Sequence, residues 1–397
     1  MIKIKGLFDF SAAAFVLFFI LMALLPGSYI TPSLFNEPKQ EKALTTDSTT
    51  SFNVIFGGDA MVHETQFKSA YNESGGFYDF HPVFEYIQPV LAHGQLNVIN
   101  LETTLAGPPY AGYPSFSSPD TFAYALKKAG FNYVALANNH ALDKGKNGLL
   151  RTLDVLEELN IPSMGTYRDS YDRANRYPLT GEINQIRFAL LNYSYGTNGI
   201  PVPSPLIVNL LDTAIIRKDI QNAKMAGADV VMVYYHWGDE YARLPNRSQK
   251  ELARFTFKAG ADIIIGSHPH VVQPIELIDI EIDDVMQQRW VAWSLGNFVS
   301  NQRWEHVDGG ILVKFTVEKN IYTGKVDIRN MKYLPYWVYR PLNPTRYYVV
   351  PLALLENNDS LFPDMAQEYI DAFQFFAKET RKHLYNEEIP LKEWKLR

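Results

Sequence analysis

Three stretches of the chain share one order: a helical pattern, an Ala-Gly pair, a short apolar run, and a polar tip that contains histidine. They are "YALKKAGFNYVALANNH" at 124–140, "IQNAKMAGADVVMVYYHWG" at 220–238 and "LARFTFKAGADIIIGSHPH" at 252–270. Glycine directly after a helix is typical of a helix C-terminal cap. Helical patterns that alternate with short apolar strands predict an α/β domain with parallel strands.

Three more apolar runs also end in polar residues. They are "FNVIFGGDAMVH" at 52–63, "QLNVINLETTL" at 95–105 and "RWVAWSLGNF" at 289–298. In α/β sheets, ligands bind at the carboxyl ends of the strands. If the six tips share one edge, the residues that converge there are Asp59, Glu102, Asn139, His140, His236, His268 and His270.

This combination of side chains indicates a metal site. The chain has no cysteine, and histidine, carboxylate and asparagine ligands suit Mn, Fe or Zn in a hydrolytic centre. A carboxylate can bridge two such ions, which together polarise a phosphoryl oxygen and activate water. An imidazole outside the ligand set can protonate the leaving group. Taken singly, each residue has a simpler interpretation: Asp59 as a helix cap, "HPH" as a turn, and each histidine as a strand-edge residue.

Charge and cysteine content exclude several classes of protein. The net charge is −6 and no run of Lys or Arg is present, so a nucleic-acid partner is not expected. The absence of cysteine excludes disulfides, thiolate metal sites, a cysteine nucleophile and an amino-terminal lipoprotein anchor.

The amino terminus predicts a membrane anchor. Lys3 and Lys5 precede an apolar run, "FSAAAFVLFFILMALL", at 10–25. We predict a cytoplasmic tail and uncleaved signal-anchor helix at 1–30, a single-pass protein of the cell membrane, and a domain on the extracytoplasmic side. The alternative is a cleaved signal peptide. Residues 31–50 are polar and rich in Pro, Ser and Thr, which favours a linker.

The remaining chain is predicted to form one domain with an extension. Residues 51–345 carry the α/β pattern and its polar tips. Beyond about residue 319 the pattern becomes β-like, and a helical segment covers 363–384. We predict that residues 346–397 are a C-terminal extension that packs on the same domain.

The motifs resemble those of the CapA family, proteins of bacterial capsule and poly-γ-glutamate synthesis. In order they are "GGDAMVH", "NLETTL", "NNHALDKG", "HWGDEY", "GSHPHVVQPIE" and "SLGNF", and they cover about 52–302. The family is similar in fold to the calcineurin-like metallophosphoesterases. The resemblance therefore implies a four-layer α/β/β/α sandwich with two divalent transition metal ions, in addition to the predicted transmembrane anchor.

The resemblance also implies a role for each residue at the tips. Asp59, Asn139, His236, His268 and His270 match metal ligands, and Glu102 stands where the phosphoesterases have a bridging aspartate. His140 matches the general acid, and Asp143 is expected to fix the tip that carries it.

Two features depart from the phosphoesterase pattern. Position 61 is methionine where that pattern has a histidine, and the nearest histidine, His63, is two residues later. Glutamate in place of aspartate at position 102 lengthens the ligand arm by one methylene. Glu240 and Asn297 are expected to orient ligands or to touch metal or substrate. Trp237 is expected either to act in the same way or to pack in the core.

Three functions agree with these observations. The first is a membrane-anchored, metal-dependent hydrolase that serves capsule or poly-γ-glutamate biosynthesis or export. The second is a non-catalytic structural subunit of the membrane-bound synthase or exporter, and the third is a surface metallophosphoesterase such as a nucleotidase. The expected partners are the membrane subunits of the synthase, the anionic polymer and the membrane itself.

Overall fold

The computed structural model describes residues 48–358 and 360–396, which contain nineteen strands and ten helices. The strands are β1 (Thr49–Ala60), β2 (Tyr71–Asn72), β3 (Phe77–Tyr78), β4 (Leu96–Leu101), β5 (Tyr133–Ala135), β6 (Ser163–Met164), β7 (Thr166–Tyr167), β8 (Leu179–Ile183), β9 (Ile186–Ser194), β10 (Ile207–Val208), β11 (Val230–His236), β12 (Ile263–Ser267), β13 (Ile275–Ile282), β14 (Val285–Ala292), β15 (Asn297–Val299), β16 (Gly309–Asn320), β17 (Val326–Tyr339), β18 (Tyr348–Pro351) and β19 (Lys392–Glu393). The helices are α1 (Glu64–Ala70), α2 (His81–Phe84), α3 (Gln88–Leu91), α4 (Asp120–Ala129), α5 (Gly145–Glu158), α6 (Ser170–Arg176), α7 (Thr213–Met225), α8 (Arg247–Lys258), α9 (Leu352–Asn357) and α10 (Gln367–Leu384).

Most strands belong to two mixed sheets. The nine-stranded sheet has the order β18-β17-β16-β1-β4-β5-β6, with β15 paired to β1 and β19 paired to β17. In it, β1 is parallel to β4 and β15 and antiparallel to β16. The six-stranded sheet has the order β13-β14-β12-β11-β9-β8, and its central strands β9, β11, β12 and β14 are parallel. The α/β class predicted from the sequence is confirmed.

The two sheets pack face to face. Alternate residues of β1, Phe52, Val54 and Phe56, join a core with Tyr234 of β11, whose ring centroid lies 5.8 Å from that of Phe56. Between them, Ile55 points to a second core. This alternation follows from the two-residue period of a strand, and it leaves β1 buried on both faces.

Helices cover the sides of the sheets that face away from each other. Leu126 of α4 and Leu153 of α5 share the second core with Ile99 of the nine-stranded sheet. On the six-stranded sheet, Ile220 of α7 and Phe257 of α8 join the first core, and every residue of β11 is buried. The layers therefore run helix, sheet, sheet, helix.

The three Ala-Gly pairs end their helices as predicted. Gly130, Gly227 and Gly260 follow the ends of α4, α7 and α8, and all three have positive φ, at 122°, 84° and 112°. Glycine adopts this region without the steric cost that a Cβ brings. Each helix therefore stops and turns into the strand that carries a polar tip.

The carboxyl-terminal residues continue the nine-stranded sheet. The register of β17 against β18 pairs Tyr339 with Tyr348, so the sheet runs across the predicted boundary at 345 and 346. Helix α10 lies where the sequence predicted a helix, and its Phe373 and Phe376 share a third core with Trp337. The described residues from 48 onward belong to one compact unit.

The predicted anchor at 1–30 and nearly all of the predicted linker lie outside the described residues. At the far end of the linker, Thr49 and Thr50 already belong to β1. Within 48–358 and 360–396, no helix is both long and apolar enough to cross a bilayer.

Candidate metal centre

The predicted site residues meet where the carboxyl ends of strands from both sheets face each other. Asp59 lies near the end of β1 and Glu102 directly follows β4, while His236 ends β11 and His268 follows β12. The tips therefore do not share the edge of one sheet, as the sequence had suggested, but line a cleft between two. Six residues that matched metal ligands are each at most 3% exposed: Asp59, Glu102, Asn139, His236, His268 and His270.

The His268-Pro269-His270 tip is held in a strained backbone conformation. His268 has φ 98° and His270 has φ 58°, both in the left-handed region that costs non-glycine residues free energy. Two hydrogen bonds secure the tip: the His268 backbone N–H donates to Asp59 Oδ2 at 3.1 Å, and Tyr241 N–H donates to Pro269 O at 2.8 Å. The tip thereby directs both imidazoles into the cleft.

Three groups of side chains each offer three ligand atoms within 4.8 Å of one another. The first is Asp59, Glu102 and His270, the second is Glu102, His236 and His268, and the third is Glu240, His268 and His270. Glu102 belongs to two of these groups. A carboxylate shared in this way could be a ligand in either group.

Glu102 is buried without the partners that a carboxylate needs. It is 0% exposed, and neither carboxylate oxygen has a hydrogen-bond partner. Burial, together with the charge of Asp59, raises the pKa of Glu102 well above its ordinary value. The nearest ring nitrogens are His236 Nε2 at 3.5 Å and His270 Nε2 at 4.0 Å from Oε1.

Asp59 is buried to the same extent but is stabilised as a carboxylate. Burial acts against its ionisation, but the hydrogen bond and electrostatic interaction with His270 and a hydrogen bond from Asn100 outweigh it, so the pKa of Asp59 lies well below its ordinary value. Asn100 Nδ2 donates to Asp59 Oδ1 at 2.7 Å. Asp59 is therefore in the form that binds a cation.

Two histidines of the cluster, His236 and His268, are held neutral. Burial and the neighbouring imidazoles lower the pKa of His236 well below its usual range, and burial with His270 lowers the pKa of His268 to about 3. The Nδ1 atom of His268 is buried and has no hydrogen-bond partner. His270 Nδ1 lies 3.0 Å from Asn297 Oδ1, which fixes a ring whose Nε2 is then free to accept.

The donor set fits divalent transition metals. Neutral imidazoles, an ionised aspartate and an amide oxygen are ligands of Mn, Fe and Zn. Buried polar atoms are normally paired, yet both oxygens of Glu102 and Nδ1 of His268 are not. Cations in the cleft would satisfy these atoms.

His140 lies beside the cluster, as a proton donor would. Its Nδ1 is 2.7 Å from Asp143 Oδ2, and both side chains are at most 5% exposed. Asp143 Oδ2 also accepts the Phe116 N–H at 2.7 Å, and the Phe116 ring packs edge-on against His140. Asp143 therefore orients the imidazole and leaves Nε2 for other contacts. Next to it, Asn139 Oδ1 lies 2.8 Å from His236 Nε2.

Four further predicted residues have different surroundings. Glu240 is exposed but belongs to the third ligand group. Asn297 orients His270 and donates to Gln302 Oε1 and Val307 O. His63 belongs to none of the three ligand groups; its Nδ1 lies 3.2 Å from the Asn301 backbone N–H and 3.1 Å from Gln66 Oε1. Trp237 is 1% exposed and donates to Trp293 O, so its role is packing.

Sequence reasoning missed two asparagines that organise the cluster. Asn100 donates to Asp59 and accepts from Asn138 Nδ2 at 3.1 Å. Asn138 also donates to Leu101 O and accepts the His140 N–H. Both lie inside the motifs "NLETTL" and "NNHALDKG", so their position beside the predicted ligands in the sequence could have identified them.

Tyr195 was also missed. It follows β9, and its ring centroid lies 4.4 Å from that of His268. No motif marks it in the sequence, because β9 ends in Asn-Tyr-Ser without a histidine or a carboxylate.

Curated proteins of capsule synthesis are similar to this chain. It is 30% identical over 277 residues to "Capsule biosynthesis protein CapA" of Bacillus anthracis, which covers 66% of this chain and 63% of that protein. It is 30% identical over 257 residues to "PGA biosynthesis protein CapA" of Bacillus subtilis (strain 168), which covers 62% and 63%. The chain thus spans less than two thirds of the length of either relative.

Solved structures are similar to this chain at lower identity. The NAD nucleotidase of Haemophilus influenzae has a TM-score of 0.46 at 11% identity, covering 84% of this chain and 61% of that one. The calcineurin-like phosphoesterase YfkN of Bacillus subtilis has a TM-score of 0.43 at 14% identity, covering 85% and 99%.

A family model assigns the chain. Residues 53–302, which include every motif that lines the cleft, match the model described as "Bacterial capsule synthesis protein PGA_cap". This stretch is more than half of the 397 residues. The chain therefore belongs to the PGA_cap family of bacterial capsule synthesis proteins.

Proposed function

We propose that the chain is a divalent-metal-dependent phosphoester hydrolase that serves the assembly or export of a bacterial capsule polymer such as poly-γ-glutamate. The observation that carries this proposal is Glu102, a fully buried carboxylate that has no partner and belongs to two ligand groups. Such an arrangement destabilises the metal-free protein, and cations in the cleft would offset that cost.

The chain's own residues divide the work of the reaction. Asp59, Glu102 and His270 would hold one ion, and Glu102, Asn139, His236 and His268 a second. When bound, divalent transition metal ions polarise a phosphoryl oxygen and activate water near neutral pH. His140 would donate the proton that the leaving group takes up, with Asp143 holding its ring in place; such a donor contributes about 10²–10⁴-fold to a rate.

The cellular setting completes the proposal. The apolar run at 10–25 would anchor the chain as a single-pass protein, with Lys3 and Lys5 keeping the tail inside and the domain outside. The partners would be the membrane subunits of the polymer synthase and the anionic polymer. Support comes from the sequence of the amino terminus and from the names of the curated relatives.

One observation favours the non-catalytic alternative, a structural subunit of the synthase. Met61 is 2% exposed where the phosphoesterase pattern has a histidine, and His63 contacts Asn301 and Gln66 instead. One ion would then have fewer ligands than the other. A structural subunit could use a single ion to hold the cleft without turnover.

His140→Ala separates the two functions. The purified protein is loaded with Mn²⁺, Fe²⁺ or Zn²⁺, its metal content is measured, and hydrolysis of p-nitrophenyl phosphate and bis(p-nitrophenyl) phosphate is followed. We expect turnover by the wild type and a loss of about 10²-fold or more in the variant, with metal content unchanged. Asn139→Ala is the matched control, because it should lower metal content as well.

Polymer production in cells provides the second readout. If cells that carry His140→Ala make normal amounts of polymer while the protein retains its metal, acid catalysis by His140 is excluded and the structural function remains. Loss of the polymer with metal content and assembly unchanged supports the hydrolase.

A further inference from the structure

Four exposed aromatic side chains surround the mouth of the cleft. Their exposed fractions are 73% for Tyr113, 43% for Tyr195, 42% for Tyr241 and 52% for Trp304. Large aromatic side chains bury most of their surface in ordinary protein interiors, so four exposed rings at one opening form an unusual surface. We call these four residues the aromatic rim.

Two members of the aromatic rim lie directly against histidines of the cluster. The ring centroid of Tyr195 is 4.4 Å from that of His268, and the centroid of Tyr241 is 6.1 Å from that of His270. Tyr241 also has φ 65°, a backbone conformation that is costly for a bulky residue. Strain of this kind persists where the surroundings impose it, and it clusters at functional sites.

The other two members extend these contacts outward. Trp304 packs edge-on against Tyr241, with centroids 5.4 Å apart. Tyr113 lies 6.4 Å from Phe116, whose ring in turn lies 4.7 Å from His140. Ring contacts thus connect the four residues of the aromatic rim to three histidines of the site.

A carboxylate lies beside the aromatic rim. Glu240, the neighbour of Tyr241 in the chain, is exposed and forms one ligand group with His268 and His270. The carboxylates of a polycarboxylate chain would meet this like charge at the mouth.

We propose that the aromatic rim binds a ring carried by the organic part of the substrate, so that the metal centre acts on a phosphoester whose alcohol bears a ring rather than on a polycarboxylate chain. This inference rests on the proposed phosphoester hydrolysis and names its substrate class. A ring stacks on an aromatic face through dispersion and its quadrupole and needs no opposite charge. The metal site would take the phosphoryl group, and Tyr195 or Tyr241 the ring.

Two non-hydrolysable probes test the inference without requiring turnover. Phenylphosphonate carries a ring and methylphosphonate does not. Their affinities for the metal-loaded full-length protein are measured by calorimetry for the wild type, Tyr195→Ala, Tyr241→Ala and the double variant. Tyr171→Ala is the matched control, since Tyr171 is 78% exposed on α6, outside the aromatic rim.

We expect the wild type to bind phenylphosphonate about tenfold more tightly than methylphosphonate, the scale of one ring stacked on an aromatic side chain. Each rim variant should lower this ratio, the double variant should bring it close to one, and all should keep the wild-type affinity for methylphosphonate. Tyr195→Phe should retain the preference, because it keeps the ring. The Tyr171→Ala control should behave as the wild type does.

Several results would overturn the inference. They are a wild-type affinity ratio near one, no binding of either phosphonate, or an unchanged ratio in the double variant. A loss of metal and of methylphosphonate affinity in the rim variants would also overturn it, because the tyrosines would then only support the histidines. Failure of the proposed function gives a different result: no hydrolysis of either p-nitrophenyl ester while the binding preference for the ring persists.

Discussion

Replacing Glu102 by glutamine should change the stability of the metal-free and metal-loaded protein in opposite directions. Both carboxylate oxygens of Glu102 are buried without a partner, and its raised pKa means that the metal-free protein must hold this charge or take up a proton on folding near neutral pH. Both cost free energy, and glutamine, which does not ionise, avoids the cost. Glutamine has nearly the same shape but no charge. We therefore expect the free energy of unfolding of the metal-free protein to rise by about 1–3 kcal/mol in the variant.

This gain corresponds to a small but measurable rise in Tm. For a unit of roughly 350 residues the unfolding entropy converts 1–3 kcal/mol to about 1–4 °C. Metal has the reverse effect: at a free concentration of 1,000 times Kd, the wild type gains about 4.1 kcal/mol. The variant should gain much less, because the charge that it loses is shared by two ligand groups. The order of the two Tm values should therefore invert when metal is added.

Thermal unfolding of both proteins, first in chelator and then with increasing Mn²⁺ or Zn²⁺, measures the inversion. Glu158→Gln serves as the control, because Glu158 is exposed on α5 and should change neither curve. A Glu102→Gln protein that is less stable than the wild type in chelator would show that the glutamate is satisfied in the metal-free state. An equal metal-induced shift in both proteins would show that Glu102 is not a ligand.

Three further outcomes are expected. His268→Ala should lower metal content, whereas His63→Ala should leave it unchanged, since His63 accepts the Asn301 N–H and belongs to no ligand group. Elemental analysis of both variants measures this, and equal losses of metal would contradict the placement of His63. Asn100→Ala should weaken metal binding about 10–100-fold by freeing the Asp59 carboxylate, and an unchanged titration would show that Asn100 does not position Asp59. Protease added to intact cells without an outer barrier should digest the domain; protection until lysis would reverse the predicted topology, and release into the medium would indicate a cleaved signal peptide.

The strand tips were predictable because they depend on local patterns. An apolar run that stops at Gly-Asp or at Ser-His-Pro-His marks both the end of a strand and the chemistry that follows it, and Asp59, His268 and His270 were identified in this way. Glycine after each helix also has a local cause. Gly130 has a positive φ, which glycine adopts without steric cost and most other residues do not.

Long-range pairing was not predictable in the same way. The division of the tips between two sheets depends on contacts such as Phe56 with Val313, which no local pattern specifies. The same holds for His63, whose spacing from Asp59 attracted interest although its surroundings come from Asn301, 238 residues away. Exposure of the aromatic rim also follows from tertiary packing, and in the sequence its tyrosines resemble the many others of the chain.

The candidate ligands come from both sheets, and this has a consequence for how the domain opens. Asp59 and His268 are 209 residues apart in the chain, so one ion held by both sheets would close a very long loop. In the chain-entropy description, a covalent cross-link over 100 residues is already worth about 4.7 kcal/mol. The chain has no cysteine with which to make such a link. Coordination would therefore act as its reversible cross-link, and chelation should speed amide hydrogen exchange in β1 and β12 together, as the two sheets begin to separate as one cooperative event.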